Sequence, residues 1–300
     1  MWDVHRLPRA EDKTILVTGA NAGIGYFVAE QLAGSGAEVV LGSRNPAKAE
    51  AALTALRERV PGARVRFLRL DLADLGSLPA AAAGLDRLDV LVCNAGVFPE
   101  GADRHETAAG HELAFGTNHL GHFALIHHLL PLLAAAPQGR VVTTGSFTAR
   151  SARLDPEDWQ TTRDYQPMRA YARSKLAQMV CAFELDRRLR AEGSTTLSLV
   201  NHPGGALDPL TPSRPPVHQR TTGRTLLAQP ARVLVQGKDA GAWPAVRAAL
   251  DPAAEGGQLW GPRAFGLSGQ PRLERVREHW SDPGVAARLW AASAKLAGVS

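Results

Sequence analysis

The sequence predicts an α/β fold of the doubly wound, Rossmann type, with a parallel sheet covered by helices on both faces in a single domain. Three observations carry this. Short apolar strand segments alternate with amphipathic helical segments, a glycine-rich turn separates the first strand from the first helix, and the alternation continues unbroken to His202. Strands that are apolar throughout are buried on both faces, which is the mark of a parallel sheet with right-handed crossovers.

The elements follow in order. Lys13 to Thr18 is an apolar run that ends at the glycine turn, and Gly23 to Ser35 places Ile24, Phe27, Val28 and Leu32 at helical spacing. Strand Glu38 to Ser43 leads to helix Pro46 to Val60, and strand Val65 to Arg69 leads to a helix near Leu75 to Leu85. Strand Val90 to Asn94 precedes a long helix from about His111 to Ala136. Strand Arg140 to Ser146 precedes a helix from about Tyr171 to Glu192, and a sixth strand, Thr196 to His202, closes the series. Pro203 to Pro230 is rich in Pro, Gly, Thr and Arg and reads as a long loop or lid. A late strand is expected at Gln258 to Trp260. The last helix opens with Ser281, Asp282 and Pro283, an N-cap followed by proline in the first turn.

Composition narrows the function classes. With 45% hydrophobic and 21% charged residues over 300 positions, the chain has the make-up of a folded protein, not a disordered one. The net charge of +5 is spread over every segment, with no dense Lys/Arg run interleaved with aromatics, so nucleic acid is not an expected partner. A modest positive balance does suit an anionic cofactor. Cys93 and Cys181 are the only cysteines, and Cys93 falls in an apolar strand run, so no disulfide framework is expected and the cytoplasm is the expected compartment. Met1 to Lys13 is polar and does not read as a signal peptide. The longest apolar segment, Phe123 to Ala136, is interrupted by His127, His128 and Pro131, so no membrane anchor is expected. His105, His111, His119, His122, His127 and His128 crowd one stretch. They show neither H-E-x-x-H spacing nor a supporting cysteine pair, so no metal is expected.

Two motifs carry chemistry. The turn from Thr18 holds Gly19, Asn21, Gly23, Ile24 and Gly25, where glycines let the backbone approach a pyrophosphate and the following helix offers its N-terminal amides. Tyr171 and Lys175 lie four apart, so on a helix they share one face and can converge on one substrate atom. Ser146 ends the fifth strand, at the carboxyl edge where open α/β sheets bind ligands. Ser43 and Arg44 end the second strand, where an acidic residue would accept from the ribose hydroxyls of NAD. None stands there, and a guanidinium suits the extra phosphate of NADP(H).

The glycine spacing, with three residues between the first two glycines and one before the third, resembles that of the short-chain dehydrogenase/reductase family. The match extends in family order through Asp71, Asn94-Ala95-Gly96, Asn118, Ser146, Tyr171 to Lys175 and Pro203-Gly204, and is most similar to the retinol dehydrogenase and protochlorophyllide reductase branch. The resemblance implies an NADP(H)-dependent ketoreductase in which Tyr171 is the acid/base, Ser146 hydrogen-bonds the carbonyl oxygen and Lys175 lowers the phenol's pKa and holds the nicotinamide ribose. It further implies that Asn118 holds a water linked to Lys175 and that Asp71, with Leu72 beside it, meets the adenine ring. On this reading residues 13–202 are the cofactor-binding and catalytic core, 203–262 a substrate loop with a late strand, and 263–300 a C-terminal segment. Family members are often dimers or tetramers, so a homodimer or homotetramer is a possible assembly.

The spacer between Ser146 and Tyr171 holds Trp159 and Tyr165, which with Phe98, Phe147 and Leu207 are candidates for the wall of a pocket. Such a wall favours a bulky, partly apolar carbonyl or alcohol. Two other functions compete: a sensor that binds NADP(H) without turnover, and an epimerase or dehydratase of the related extended type. One residue departs from the family pattern. Four positions beyond Gly204, where a threonine is usual, stands Asp208, expected to point away from the cofactor while Thr211 or a backbone amide takes its place.

Overall fold

The computed structural model describes residues 2–219 and 228–299. Its centre is one eight-stranded sheet in the order β3-β2-β1-β4-β5-β6-β7-β8. The strands are β1 Thr14–Thr18, β2 Glu38–Ser43, β3 Val65–Arg69, β4 Val90–Cys93, β5 Arg140–Thr144, β6 Leu197–Asn201, β7 Leu259–Ala264 and β8 Ser268–Glu274. The first seven pair in parallel, and β8 alone runs antiparallel, against β7. The order reverses between β1 and β4, so the crevice at their carboxyl ends is the place where such sheets bind ligands.

β1, β4 and β5 are buried at every position, as the uninterrupted apolar runs require. One face is covered by α1 Gly23–Gly34, α2 Pro46–Arg59 and the helix Trp243–Leu250. The other is covered by α3 Leu78–Ala82, α4 Gly121–Ala135, α5 Pro167–Ala191 and the C-terminal helix Pro283–Ala297. Asp282 caps that last helix by accepting from the amides of Gly284 and Val285, with Pro283 in its first turn. Pro203 to Pro230 falls partly outside the described residues. Its visible part is mostly irregular, with a turn of 3₁₀ helix at Asp208–Leu210 and the start of another at Gln229–Val233.

Four elements differ from the sequence reading. The expected helix near Leu75 to Leu85 is a 3₁₀ turn, Leu75–Ser77, followed by the short α3. The long helix expected from His111 begins later, as a π-helical stretch Phe115–Leu120 that passes into α4. A Cβ on Gly121 would collide with the Leu72 carbonyl, so glycine at this junction lets the helix press against the chain leaving β3. The helix Trp243–Leu250 and strand β8 have weak local signals. β8 carries two glycine or proline residues in seven and alternates irregularly, and it is held by its ladder with β7.

Candidate active site

The crevice is a cleft of about 590 Å³ along the carboxyl ends of β1, β2, β4 and β5. Its floor is the glycine turn. Gly19 has φ +69°, and a Cβ there would lie 2.9 Å from the Ala95 Cα, so the turn and the chain after β4 touch backbone to backbone. Thr18 ties the two together, because its hydroxyl accepts from the amides of Asn94 and Ala95, each at 2.9 Å, while Asn94 Nδ2 donates to the Thr18 carbonyl. Ala22, at the N-cap of α1, makes no side-chain cap, which leaves the first amides of that helix facing the cleft.

The sequence-predicted residues Gly19, Asn21, Gly23, Ile24, Gly25, Ser43, Arg44, Asp71, Leu72, Asn94, Ala95, Gly96, Tyr171, Lys175 and Pro203 all line this cleft. Ser43 donates to Asn21 Oδ1 at 2.9 Å, joining the second strand to the glycine turn. Arg44 is exposed at the far end, and Asp71 folds its carboxylate back onto the Ala73 amide at 3.0 Å. Gly204 adopts φ +69° with its Cα pressed towards the Leu267 carbonyl, so it shapes the chain leaving β6 without facing the cleft.

At the other end, Tyr171 and Lys175 project from one face of α5. Ser146, just beyond β5, hydrogen-bonds the Tyr171 hydroxyl and also accepts from the Thr148 hydroxyl at 2.9 Å. Lys175 is buried, and its ammonium donates to the Thr144 carbonyl at 2.9 Å and to Gln178 Oε1 at 3.0 Å. Burial lowers the Lys175 pKa to about 8. Burial also raises the Tyr171 phenol, against a smaller lowering by Ser146. The expected lowering of Tyr171 by Lys175 is not among the influences on the phenol, and the ammonium is bonded to Thr144 and Gln178.

Asn118 ties the loop after β4 to α5. Its amide clasps the Val97 backbone, accepting at 2.7 Å and donating at 3.0 Å, and it also donates to Ser174 Oγ. Its carbonyl faces His122 Nδ1 at 2.8 Å. The side chain is spent on positioning the loop after β4 and α5, and the π-helical stretch that carries it is a geometry often found beside functional sites.

The suggested pocket wall divides. Phe98 is 49% exposed with its ring 5.2 Å from Tyr171, and Leu207 is 39% exposed, so both are free to meet a ligand. Phe147 lies under the Arg150 guanidinium at 4.3 Å. Arg150 is held by Glu274 of β8, which also contacts His202 at 3.2 Å. Trp159 is half-buried against the core cluster that includes α5, and Tyr165, also half-buried, directs its hydroxyl to Glu112 at 3.5 Å.

One feature was missed by sequence. Lys238 lines the cleft, its Nζ 4.0 Å from where a Cβ on Gly23 would stand, and it pairs with Asp208 at 2.5 Å. Asp208 thus turns its carboxylate to Lys238, with His218 a further 3.7 Å contact. Thr211, the expected substitute, is fully buried, donating to the Leu207 carbonyl and accepting from the Lys238 amide, so it has no hydroxyl to offer the cleft. A lone lysine 30 residues beyond Asp208 gives no local signal.

A family model described as short chain dehydrogenase matches residues 13–155. Human retinol dehydrogenase 13 is 36% identical over 293 residues, covering 96% of this chain and 85% of that protein. The chain belongs to the short-chain dehydrogenase/reductase family. Human polyprenol dehydrogenase is 35% identical over 83% of this chain and 76% of its own length. A crystal structure of an uncharacterized protein from Mycobacterium paratuberculosis aligns with a TM-score of 0.81 at 35% identity, covering 100% of this chain and 98% of that one. The chain is accordingly an oxidoreductase of this family, one that uses a nicotinamide cofactor on a small-molecule substrate.

Proposed function

We propose that the chain is an NADP(H)-dependent oxidoreductase that interconverts a bulky, partly apolar carbonyl compound and its alcohol, with Tyr171 as general acid/base. The observation that carries this is the convergence of Tyr171, Ser146 and Lys175 at one end of a cleft whose other end holds an exposed arginine and no carboxylate at the close of β2.

The cleft fits a dinucleotide. The backbone contact at Gly19, the uncapped α1 amides and the Lys238 ammonium suit a pyrophosphate, and Arg44 with Ser43 suits a 2′-phosphate. When bound, the nicotinamide supplies or accepts the hydride. This chain's residues do the rest. Ser146 and Tyr171 hydrogen-bond the substrate oxygen, and Tyr171 gives up or takes the proton there. Lys175, with its pKa lowered to about 8 by burial, can turn from Thr144 towards the ribose and the phenol. Phe98 presents apolar surface beside Tyr171, Leu207 is exposed on the chain leaving β6, and relatives named for retinol and polyprenol support a large apolar alcohol as substrate class.

The test is NADPH absorbance during incubation with a panel of aldehydes and ketones that rise in size and apolarity. Net oxidation of NADPH, faster for larger apolar members, is the expected result. No turnover with retained NADPH binding would favour a sensor, and conversion without net cofactor oxidation would favour an epimerase.

A further inference from the structure

We propose that the chain has a second ligand site, a cavity behind the catalytic face that takes a small neutral ring compound bearing one oxygen acceptor. The cavity has a volume of about 220 Å³ and lies between α4, α5 and the C-terminal helix. It shares no lining residue with the cofactor cleft, so it stands independently of the oxidoreductase reading.

The walls set the ligand's body. Phe123, Leu130, Leu185 and Trp290 make them apolar, with the Phe123 and Trp290 rings edge to face at 4.8 Å. An apolar cavity of about 150 Å³ admits benzene, so this one admits a six-membered ring with a short substituent. The charged residues of the lining are Arg188 and Glu192, and Glu192 is exposed to solvent. Arg188 is bound to Glu184 at 2.7 Å and stacked over Trp290 at 4.5 Å, and burial holds His119 and His122 near pKa 3, so both rings are neutral.

The inner end sets the ligand's polar group. Thr143 is 1% exposed, lines the cavity, and its hydroxyl has no hydrogen-bond partner. Gln178 lies beside it. His122 Nδ1 faces the Asn118 carbonyl at 2.8 Å and therefore carries the ring proton, which leaves Nε2 to accept from the Thr18 hydroxyl at 2.9 Å. With Nδ1 protonated, the Gln178 amide nitrogen 3.1 Å away meets a donor and gains nothing from it. The same amide already accepts from Lys175 through Oε1, so it cannot flip without breaking that bond. Apart from the 3.5 Å contact to the Cys93 carbonyl, its hydrogens lack an acceptor. A buried hydroxyl with no partner and a buried amide donor with only a long contact thus line this chamber, and a carbonyl or hydroxyl oxygen on a ring answers both.

The probe is 4-fluorophenol, which has one ring and one oxygen and no carbinol hydrogen to lose as hydride. Its binding to the full chain is followed by ¹⁹F NMR. Saturable shift or broadening is expected in the parent protein. Ala294→Phe, which places a ring in the cavity from the C-terminal helix, should weaken binding at least about tenfold, and Thr143→Val should weaken it about fivefold through loss of one hydrogen bond. Absence of saturable binding, or equal affinity in Ala294→Phe, would overturn the proposal. If Ala294→Phe fails to fold by circular dichroism, Thr143→Val decides alone, and an unchanged affinity there overturns it as well.

Discussion

The floor and the rim of the cofactor cleft are built in different ways. The floor comes from β1, β2, β4 and the turns that follow them. Its contacts are backbone against backbone, as at Gly19 and Ala95, or a hydroxyl shared between adjacent strands, as at Thr18. The rim comes from the chain beyond β6. There the contact is between side chains far apart in sequence, Asp208 with Lys238. A backbone contact leaves no room for substitution, whereas an ion pair can be exchanged or re-aimed. The floor is therefore the fixed part of the cleft and the rim the adjustable part.

The largest expected effect lies where floor and chemistry meet. Tyr171→Phe should lower kcat by roughly 10²-fold or more while the cofactor still binds, since only the proton-transferring hydroxyl is lost. Steady-state rates with a fluorescence titration of cofactor check this, and near-normal turnover would remove Tyr171 from the mechanism. At the far end of the floor, Arg44→Asp should cost NADPH about 10-fold to 150-fold in kcat/KM and leave NADH less affected, the worth of one charged hydrogen bond. An unchanged ratio would mean that the 2′-phosphate is held elsewhere.

Rim changes should be smaller and blind to that phosphate. Lys238→Ala should weaken NADPH and NADH alike, by about fivefold, because a partly exposed ammonium facing the pyrophosphate is screened by solvent. A loss confined to NADPH would place Lys238 at the 2′-phosphate instead. Asp208→Thr should be the mildest, with NADPH affinity within about threefold of the parent, since the carboxylate is directed to Lys238. Marked tightening on fluorescence titration would show that it faces the phosphates after all.

The same division explains what could be read without coordinates. The six strands from Thr14 to Asn201 and the cleft residues from Gly19 to Lys175 are signalled by short-range patterns: apolar runs, glycine spacing, a tyrosine four before a lysine. Trp159 and Tyr165 mark where such patterns stop, because an aromatic side chain carries the same local signal whether it faces a ligand or a core. The π-helical start of the long helix was equally silent, since its cause is the close approach of the chain at Leu72 and Val97, not the residues' own propensity.

By itself the sequence determined the parallel sheet and the residues at its carboxyl edge, because period and spacing act over one or two turns of chain and are written directly in the order of side chains. Only the tertiary structure decided where Asp208 points, that Lys238 joins the cleft, that Asn118 clasps Val97, and that β8 completes the sheet. Each of these depends on a partner from 20 to 30 or more residues away, or on a strand that forms only against its neighbour. Their energies come from burial and pairing that exist once the chain has folded, so no local window of the sequence contains them.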